Sequence, residues 1–140
     1  MNIYQKLFEN LAALCGDLSV FCKFDDDNKN YHKKIVNEPY MPLVLEYIGH
    51  HDILKKPQIS MVHYGEQNGD LMRDPEMIFM VDFEKKTAEA VSYRNDYAGY
   101  FEEVFVLTKN QVYYSSSQRI SQNQFALTWF ENLKAQGFIK

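Results

Sequence analysis

The sequence predicts an α+β fold in which an antiparallel sheet of about five or six strands packs with an N-terminal helix and a C-terminal helix. Three observations lead to this prediction. An amphipathic helical pattern opens the chain, another closes it, and the segments between them are short runs rich in β-branched and aromatic residues. Most connections between these runs are too short for parallel crossovers, which need about a dozen residues or more. Antiparallel pairing is therefore expected.

The length and composition of the chain indicate one domain. It has 140 residues, of which 46% are hydrophobic and 24% are charged. A chain of this length buries about two-thirds of its unfolded surface around one core, whereas two domains of ordinary size need roughly 200 residues. We therefore expect residues 1–140 to form a single globular domain.

The N-terminal segment has the spacing of an amphipathic helix. Its apolar side chains recur every three or four residues on one face, at Ile3, Leu7, Leu11 and Leu14. Gly16 follows, at a position where a helix commonly ends. Residues 18–24 then alternate between two faces, which predicts a strand, and the polar run DDDNKN predicts an exposed turn.

The middle of the chain supplies the other predicted strands. They are short, they are enriched in residues that favour sheets, and several are bounded by proline or glycine. The runs are 31–36, 43–48, 59–64, 77–83, 88–93 and 101–107, with 112–114 as a possible addition.

The C-terminal segment predicts the second long helix. Three serines, Ser115 to Ser117, offer a side-chain cap at its start. An apolar stripe follows them, and Gly137 marks the end. The stripe consists of Ile120, Leu127, Phe130 and Leu133.

Charge and motif content exclude several classes of function. The net charge is −4 and the pI about 5.5, so the basic surface of a general nucleic-acid binder is missing, and we expect no direct nucleic-acid binding. No signal peptide or run of 18 apolar residues is present, and Cys15 and Cys22 lack metal or redox spacing. We expect a cytoplasmic protein with reduced thiols and no membrane contact. The sequence contains no complete cofactor or catalytic motif, and it does not indicate an oligomeric state.

The most informative segment is GEQNGDLMRDPE, residues 65–76, which we expect to connect two strands. Asn68-Gly69 is a strong hairpin signal, and Asp74-Pro75 indicates a further turn. Connections of this length in compact domains are often functional. One interpretation is a rigid loop shaped by its own polar groups. The other is a metal or acid–base site that uses His63, Glu66 and Asp70, with Asp74 nearby.

A second polar segment, SYRNDYAGYFEE, covers residues 92–103 and interleaves tyrosines with polar residues. Asn95, Asp96 and Gly99 suit a turn between strands. Tyrosine and arginine are enriched at protein-binding hot spots, which favours a partner surface here. We expect Arg73 and Arg94 each to pair with a carboxylate and so to lock the two segments together.

Three blocks of the sequence resemble a known family when they are taken together. They are PYMPLVLEYIG, ISMVHYGEQNGDLMRDPEMIF and SYRNDYAGYFEEV, which span residues 39–104. They are similar to an uncharacterised family of small domains from plasmids, phages and other mobile elements, with the pattern HYxEQNGDLMxDPEM followed by SYxNDY. Gly65 departs from the family, which often has a second tyrosine there; this difference is expected to weaken an aromatic contact.

The resemblance implies a counter-defence role. Some mobile-element proteins of this kind are similar to anti-CRISPR proteins, so the implied function is inhibition of a type II RNA-guided nuclease by protein binding. The alternatives are a metal-assisted hydrolase that uses His63, Glu66 and Asp70, or an accessory domain that recruits a protein for plasmid maintenance. The predicted partner-binding residues are Glu66, Asn68, Asp70, Arg73, Asp74, Arg94, Asn95, Asp96 and Tyr97. We expect six of them to lie at one end of the sheet, namely Glu66, Asp70, Arg73, Asp74, Arg94 and Tyr97.

Overall fold

The computed structural model describes residues 1–27 and 29–140, and it has the predicted α+β class. Within these residues the helices are α1 (Ile3–Cys15), α2 (Leu18–Phe21) and α3 (Ser116–Gln136). Six antiparallel strands form one sheet in chain order: β1 (His32–Ile35), β2 (Leu43–His50), β3 (Pro57–Gln67), β4 (Asp70–Asp82), β5 (Thr87–Asn95) and β6 (Tyr100–Glu103). Two further strands, β7 (Phe105–Thr108) and β8 (Gln111–Tyr114), pair with each other in a small second sheet.

A reciprocal side-chain cap fixes the start of α1. Asn2 caps the helix: its side chain accepts a hydrogen bond from the backbone N–H of Gln5, and the Gln5 side chain accepts one from the backbone N–H of Asn2. This reciprocal cap satisfies two amide groups that have no partner inside the helix. At the other end, Gly16 has a φ of 82° and donates its N–H to the carbonyl of Ala12. The helix therefore ends where the sequence predicts.

The predicted strand at residues 18–24 is wrong, because the chain forms the single-turn helix α2 there. The Asp17 side chain accepts the N–H of Ser19 at 2.9 Å and caps this turn. Leu18 and Phe21 are buried, three residues apart as on a helix face, whereas Val20 is exposed. The predicted turn at 25–30 includes Asn28, which lies outside the described residues.

Both long helices cover one face of the six-stranded sheet, and the main core lies between them and the sheet. Its largest fully buried side chains include Phe79 of β4 and Phe130 of α3, whose ring centroids are 5.6 Å apart. Leu7 and Leu11 of α1 are also fully buried in this cluster. Burial of this apolar surface is the main source of stability, at about 25 cal/mol for each Å².

A buried amide ties α3 to the sheet. Asn123 accepts the backbone N–H of Ala90 at 2.8 Å and donates to the carbonyl of Arg119 at 2.8 Å. The bounds of α3 follow from the predicted signals, since Ser115 caps its start and Gly137 ends it in the left-handed conformation. The predicted apolar stripe is wrong at Ile120, which is exposed.

The hairpin of β3 and β4 is longer than predicted. Residues 65–76 are not a loop, because both strands continue to a two-residue turn at Asn68 and Gly69. These two residues have φ values of 53° and 84°, as a hairpin turn with two left-handed residues requires. The pairing shifts between Val62 and Tyr64, where one residue of β3 faces Asp74 and Pro75 of β4. This bulge accommodates a proline inside a strand.

The face of the sheet away from the helices, here called the open face, is covered in part by a second apolar cluster. This cluster consists of Met80, Val91, Val104 and Phe105, and the segment that follows β2 packs against it. The predicted strand at 101–107 is interrupted at Val104, which is buried and donates its N–H to Val91. The chain changes sheets there, so β6 and β7 are separate strands.

Candidate functional site

The distal end of the β3–β4 hairpin is held in place by the turn between β5 and β6. One carboxylate oxygen of Asp96, Oδ2, accepts the backbone N–H of Arg73 at 2.8 Å and its side-chain Nε–H at 2.9 Å. The Asp96 N–H donates in return to the Arg73 carbonyl at 2.9 Å. Three hydrogen bonds therefore join two residues that are 23 positions apart in the chain.

Two more contacts extend this connection. Asn95 Nδ2 donates to Asp74 Oδ1 at 2.9 Å, and the Tyr97 hydroxyl donates to the carbonyl of Glu66 at 3.3 Å. We call the joined segments, residues 64–74 and 95–97, the braced end. Its two parts belong largely to the two polar segments described in the sequence, residues 65–76 and 92–103, and the structure brings these segments together.

The local sequence explains how the turn reaches the hairpin. Asn95 accepts the N–H of Ala98 at 3.2 Å, and the Gly99 N–H donates to the carbonyl of Asp96 at 3.2 Å. Gly99 has a φ of 61°, which glycine adopts at little cost. The tight turn leaves the side chains of Asp96 and Tyr97 directed across to the hairpin.

The electrostatics of the braced end stabilise the charged forms of both partners. The hydrogen bonds from Arg73 lower the pKa of the Asp96 carboxyl below its usual value. The hydrogen bond to Asp96 raises the pKa of Arg73. Both side chains are partly exposed, at 35% for Arg73 and 23% for Asp96, so solvent screens this pair.

Gly65 has a specific packing role in the braced end. A methyl group at this position would lie 2.6 Å from the Tyr97 hydroxyl oxygen and 3.2 Å from the Met41 sulfur. The absence of a side chain therefore makes room for Tyr97. The expectation that glycine at this position weakens an aromatic contact stays a prediction.

The remaining predicted residues differ in their surroundings. Glu66, Asn68 and Asp70 are exposed at the hairpin tip, and within the described residues their side chains form no hydrogen bond or ion pair. The expected ion pair of Arg94 is wrong. Its guanidinium carbon lies 4.1 Å from the centroid of the Phe101 ring, and its buried Nε has no hydrogen-bond partner among the described residues.

The structure does not bring together His63, Glu66 and Asp70, the three residues of the hydrolase hypothesis. His63 is buried in the core on the helix side of the sheet, with ring centroids of Trp129 at 5.5 Å and Phe138 at 5.4 Å. Burial lowers the pKa of His63. Glu66 and Asp70 are at the exposed tip. In the part of the chain that the structure describes, no three His, Cys, Asp or Glu side chains are arranged to hold a metal ion.

A groove of about 840 Å³ lies on the open face beside the braced end. Its walls come from β1, the segment before β2, β2 itself and the distal hairpin. The residues that line the groove are His32, Lys34, Val36, Glu38, Pro39, Tyr40, Met41, Pro42, Val44, Glu46, Tyr64, Gly65, Glu66 and Leu71. Gly65 and Glu66 thus belong to both the groove and the braced end.

The segment that forms one wall of the groove is anchored at both ends. Asn37 Nδ2 donates to the carbonyl of Gln136 at 2.7 Å, which ties the segment to the end of α3. The Tyr64 N–H donates to the carbonyl of Pro42 at 3.3 Å, which ties it to β3. The groove is therefore a fixed feature of the fold.

The groove combines apolar surface with charges of both signs. Tyr64 and Leu71 supply apolar area, and Leu71 is 65% exposed. Lys34 lies on β1 and Glu66 on β3, with β2 between these strands, so opposite charges stand on two sides of the groove. Partial burial raises the pKa of the Tyr64 phenol.

Sequence reasoning missed most of the groove. Its walls combine residues 32–46 with residues 64–71, and no local pattern reveals that β1 and the hairpin share a face. The only available signal was Pro39 and Pro42, whose restricted backbones indicate a defined segment before β2.

The cysteines lie away from the groove and the braced end. Cys15 and Cys22 are free, and burial raises the pKa of each thiol to about 12. None of the described helices is long and apolar enough to cross a lipid bilayer.

Comparison with known proteins gives one result. No curated protein and no solved structure matches the chain. A family model described as Domain of unknown function (DUF6908) matches residues 17–139, which include every strand and α3. Because the match covers most of the chain, this protein belongs to the DUF6908 family.

Proposed function

We propose that this protein acts by binding another protein, and that the braced end and the groove form the contact surface. The observation that carries the proposal is the set of three hydrogen bonds between Arg73 and Asp96. A surface held in one conformation before binding loses less conformational entropy when a partner docks. The same bonds hold the exposed tip residues, among them Glu66 and Asp70, at the side of the groove.

The groove favours an extended segment of the partner. Its apolar surface from Tyr64 and Leu71 is bordered by charges, as in protein interfaces with an apolar centre and a polar rim. Lys34 and Glu66 lie on different sides of β2. The complementary ligand carries an acidic group near Lys34 and a basic group near Glu66.

The proposed partner is a type II RNA-guided nuclease, which makes the protein an anti-CRISPR inhibitor acting in the cytoplasm. This part of the proposal rests on the resemblance of residues 39–104 to domains of mobile elements. A net charge of −4 is modest, so the proposed mechanism is docking through a shaped surface rather than mimicry of nucleic acid. The proposal assigns no catalytic residue, cofactor or metal.

The test is capture of the partner from host cells, with a matched pair of variants. Leu71→Asp introduces a charge in the groove at a position that is 65% exposed. Val20→Asp makes the same change on α2, where Val20 is 48% exposed and lies outside the groove. Both variants are expected to fold, because neither side chain is part of the core.

We expect the unmodified chain and Val20→Asp to capture the nuclease and to inhibit its cleavage of DNA. Leu71→Asp is expected to lose both activities. Capture that Leu71→Asp leaves unchanged would contradict the assignment of the groove. Recovery of a relaxase or replication protein in place of a nuclease would contradict the anti-CRISPR role and support the alternative, an accessory function in plasmid maintenance.

A further inference from the structure

A small cavity of about 200 Å³ lies between β5, β6 and the first half of α3, away from the groove. The side chains that line it are aromatic, acidic or uncharged and polar, with no cation among them. They are Tyr93, Tyr100, Glu102, Ser121, Gln122 and Phe125.

Three aromatic rings form one side of this cavity. The centroid of the Tyr93 ring is 5.9 Å from that of Tyr100 and 5.2 Å from that of Phe125. Tyr100 and Phe125 remain 46% and 42% exposed. Aromatic ring faces attract cations that approach within about 6 Å of the centroid, so the two outer rings offer accessible surface for a positive group.

The carboxylate of Glu102 lies in the same cavity and lacks a cationic partner. The Tyr100 hydroxyl donates to Glu102 Oε2, and Gln122 Nε2 donates to Glu102 Oε1 at 3.0 Å. Within the described residues, no Lys, Arg or His side chain forms an ion pair with this carboxylate. Its negative charge is therefore positioned by neutral donors and left without a counter-charge.

Gln122 holds the Glu102 carboxylate in position. Its Nε2 donates both to the carboxylate and to the backbone carbonyl of Glu102, the latter at 3.2 Å. A flipped amide would set the Gln122 oxygen against these two acceptors, so the orientation is determined. The other atom, Oε1, is then buried, and no group in the described part of the chain donates a hydrogen bond to it; the residue is only 4% exposed. A buried acceptor without a donor is costly and uncommon in native proteins.

We propose that this cavity binds the guanidinium group of an arginine side chain from a protein partner. A guanidinium stacks its flat face on an aromatic ring while its five N–H groups donate in its plane. One such group can therefore contact the ring of Tyr100 or Phe125 and neutralise Glu102. A lysine ammonium has no flat face to stack and is more strongly hydrated.

This site is independent of the groove. It uses β6 and α3, whereas the groove is built from β1, β2 and the distal hairpin. The two proposals are tested with different probes, because short peptides report on the cavity without any nuclease. Failure of one test therefore leaves the other proposal intact.

The experiment is an NMR titration of the ¹⁵N-labelled full chain with three capped tripeptides. Acetyl-Gly-Arg-Gly-amide is the probe, the citrulline peptide is its neutral isostere, and the lysine peptide tests the choice of cation. We expect the arginine peptide to give saturable shifts at the Gln122 side-chain amide and at the backbone amides of β6. The citrulline peptide is expected to bind at least about tenfold more weakly, because it lacks the charge.

Two variants make the test specific. Glu102→Gln removes the charge of the cavity but keeps a side-chain acceptor for Gln122, and we expect it to weaken arginine binding by about tenfold. Glu103→Gln makes the same change at the neighbouring residue, which does not line the cavity, and should leave binding unchanged. Equal binding of arginine and citrulline, no binding of any peptide, tighter binding of lysine, or equal effects of the two variants would each overturn the proposal.

Discussion

Replacing Asp96 with alanine removes the carboxylate that holds the β5–β6 turn against β4. The backbone N–H of Arg73 loses its acceptor, and a hydrogen bond to a charged group contributes roughly 1.5–3 kcal/mol. The side-chain ion pair is 35% and 23% exposed, so it adds only about 0.2–1 kcal/mol. We expect Asp96→Ala to lower the free energy of unfolding by about 2 kcal/mol.

Asp96→Asn separates the two contributions. The amide oxygen can still accept the backbone N–H of Arg73, but the charge is gone, so we expect a smaller loss of about 0.5–1 kcal/mol. Urea denaturation measures both values, and a double-mutant cycle with Arg73→Ala isolates the coupling between the side chains. Glu84→Ala, at an exposed turn, is the control and should have little effect.

The pH dependence gives a further check on the same group. The folded pKa of Asp96 lies below the ordinary value of 3.8, so its contribution is complete above that value and is lost as the pH falls through the folded pKa. The stability difference between the unmodified chain and Asp96→Asn should therefore shrink below about pH 4. A loss under about 0.5 kcal/mol for Asp96→Ala, or no coupling to Arg73, would refute the bracing described here.

Three other predictions concern the fold. Asn123→Ala leaves the buried N–H of Ala90 without its acceptor and should lower the free energy of unfolding by about 1–3 kcal/mol in urea denaturation; an unchanged midpoint would contradict this role. Gly69→Val puts a β-branched residue at a φ of 84°, so we expect a loss of about 1–2 kcal/mol, and equal stability would argue against this hairpin turn. Because burial raises the pKa of Cys15 and Cys22 to about 12, iodoacetamide should label both far more slowly at pH 8 in the folded than in the unfolded chain; equal rates would contradict their burial.

The sequence predicted the elements whose signals are local. The bounds of α1 and α3 follow from Gly16, Ser115 and Gly137, because caps and left-handed residues act within one or two turns of a helix. The turn at Asn68-Gly69 was predicted for the same reason. The antiparallel order of the sheet followed from the shortness of most connections.

The secondary-structure predictions were wrong where contacts between distant residues determine the local conformation. Leu18 and Phe21 are buried together by the core, and this contact outweighs an alternating pattern only seven residues long. The many polar residues of the distal hairpin predict a loop, but backbone pairing and the contact with Asp96 hold it as strands. Polar composition does not distinguish a loop from a strand with solvent on much of its surface.

The candidate site was predictable in part. The meeting of the two polar segments was anticipated, but the pairing of Arg73 with Asp96 depends on the register of β4 with β5. Arg94 packs over Phe101 because the two residues are direct neighbours across β5 and β6. The groove joins strands that are distant in sequence, so it emerged only from the structure.

The most direct test of the proposed contact surface is hydrogen–deuterium exchange of the full chain with and without a type II RNA-guided nuclease. We expect slower exchange in the complex at residues 32–46 and 64–73, which form the groove and the hairpin side of the braced end. Unchanged exchange in both segments, with or without protection elsewhere in the chain, would contradict the proposed contact surface.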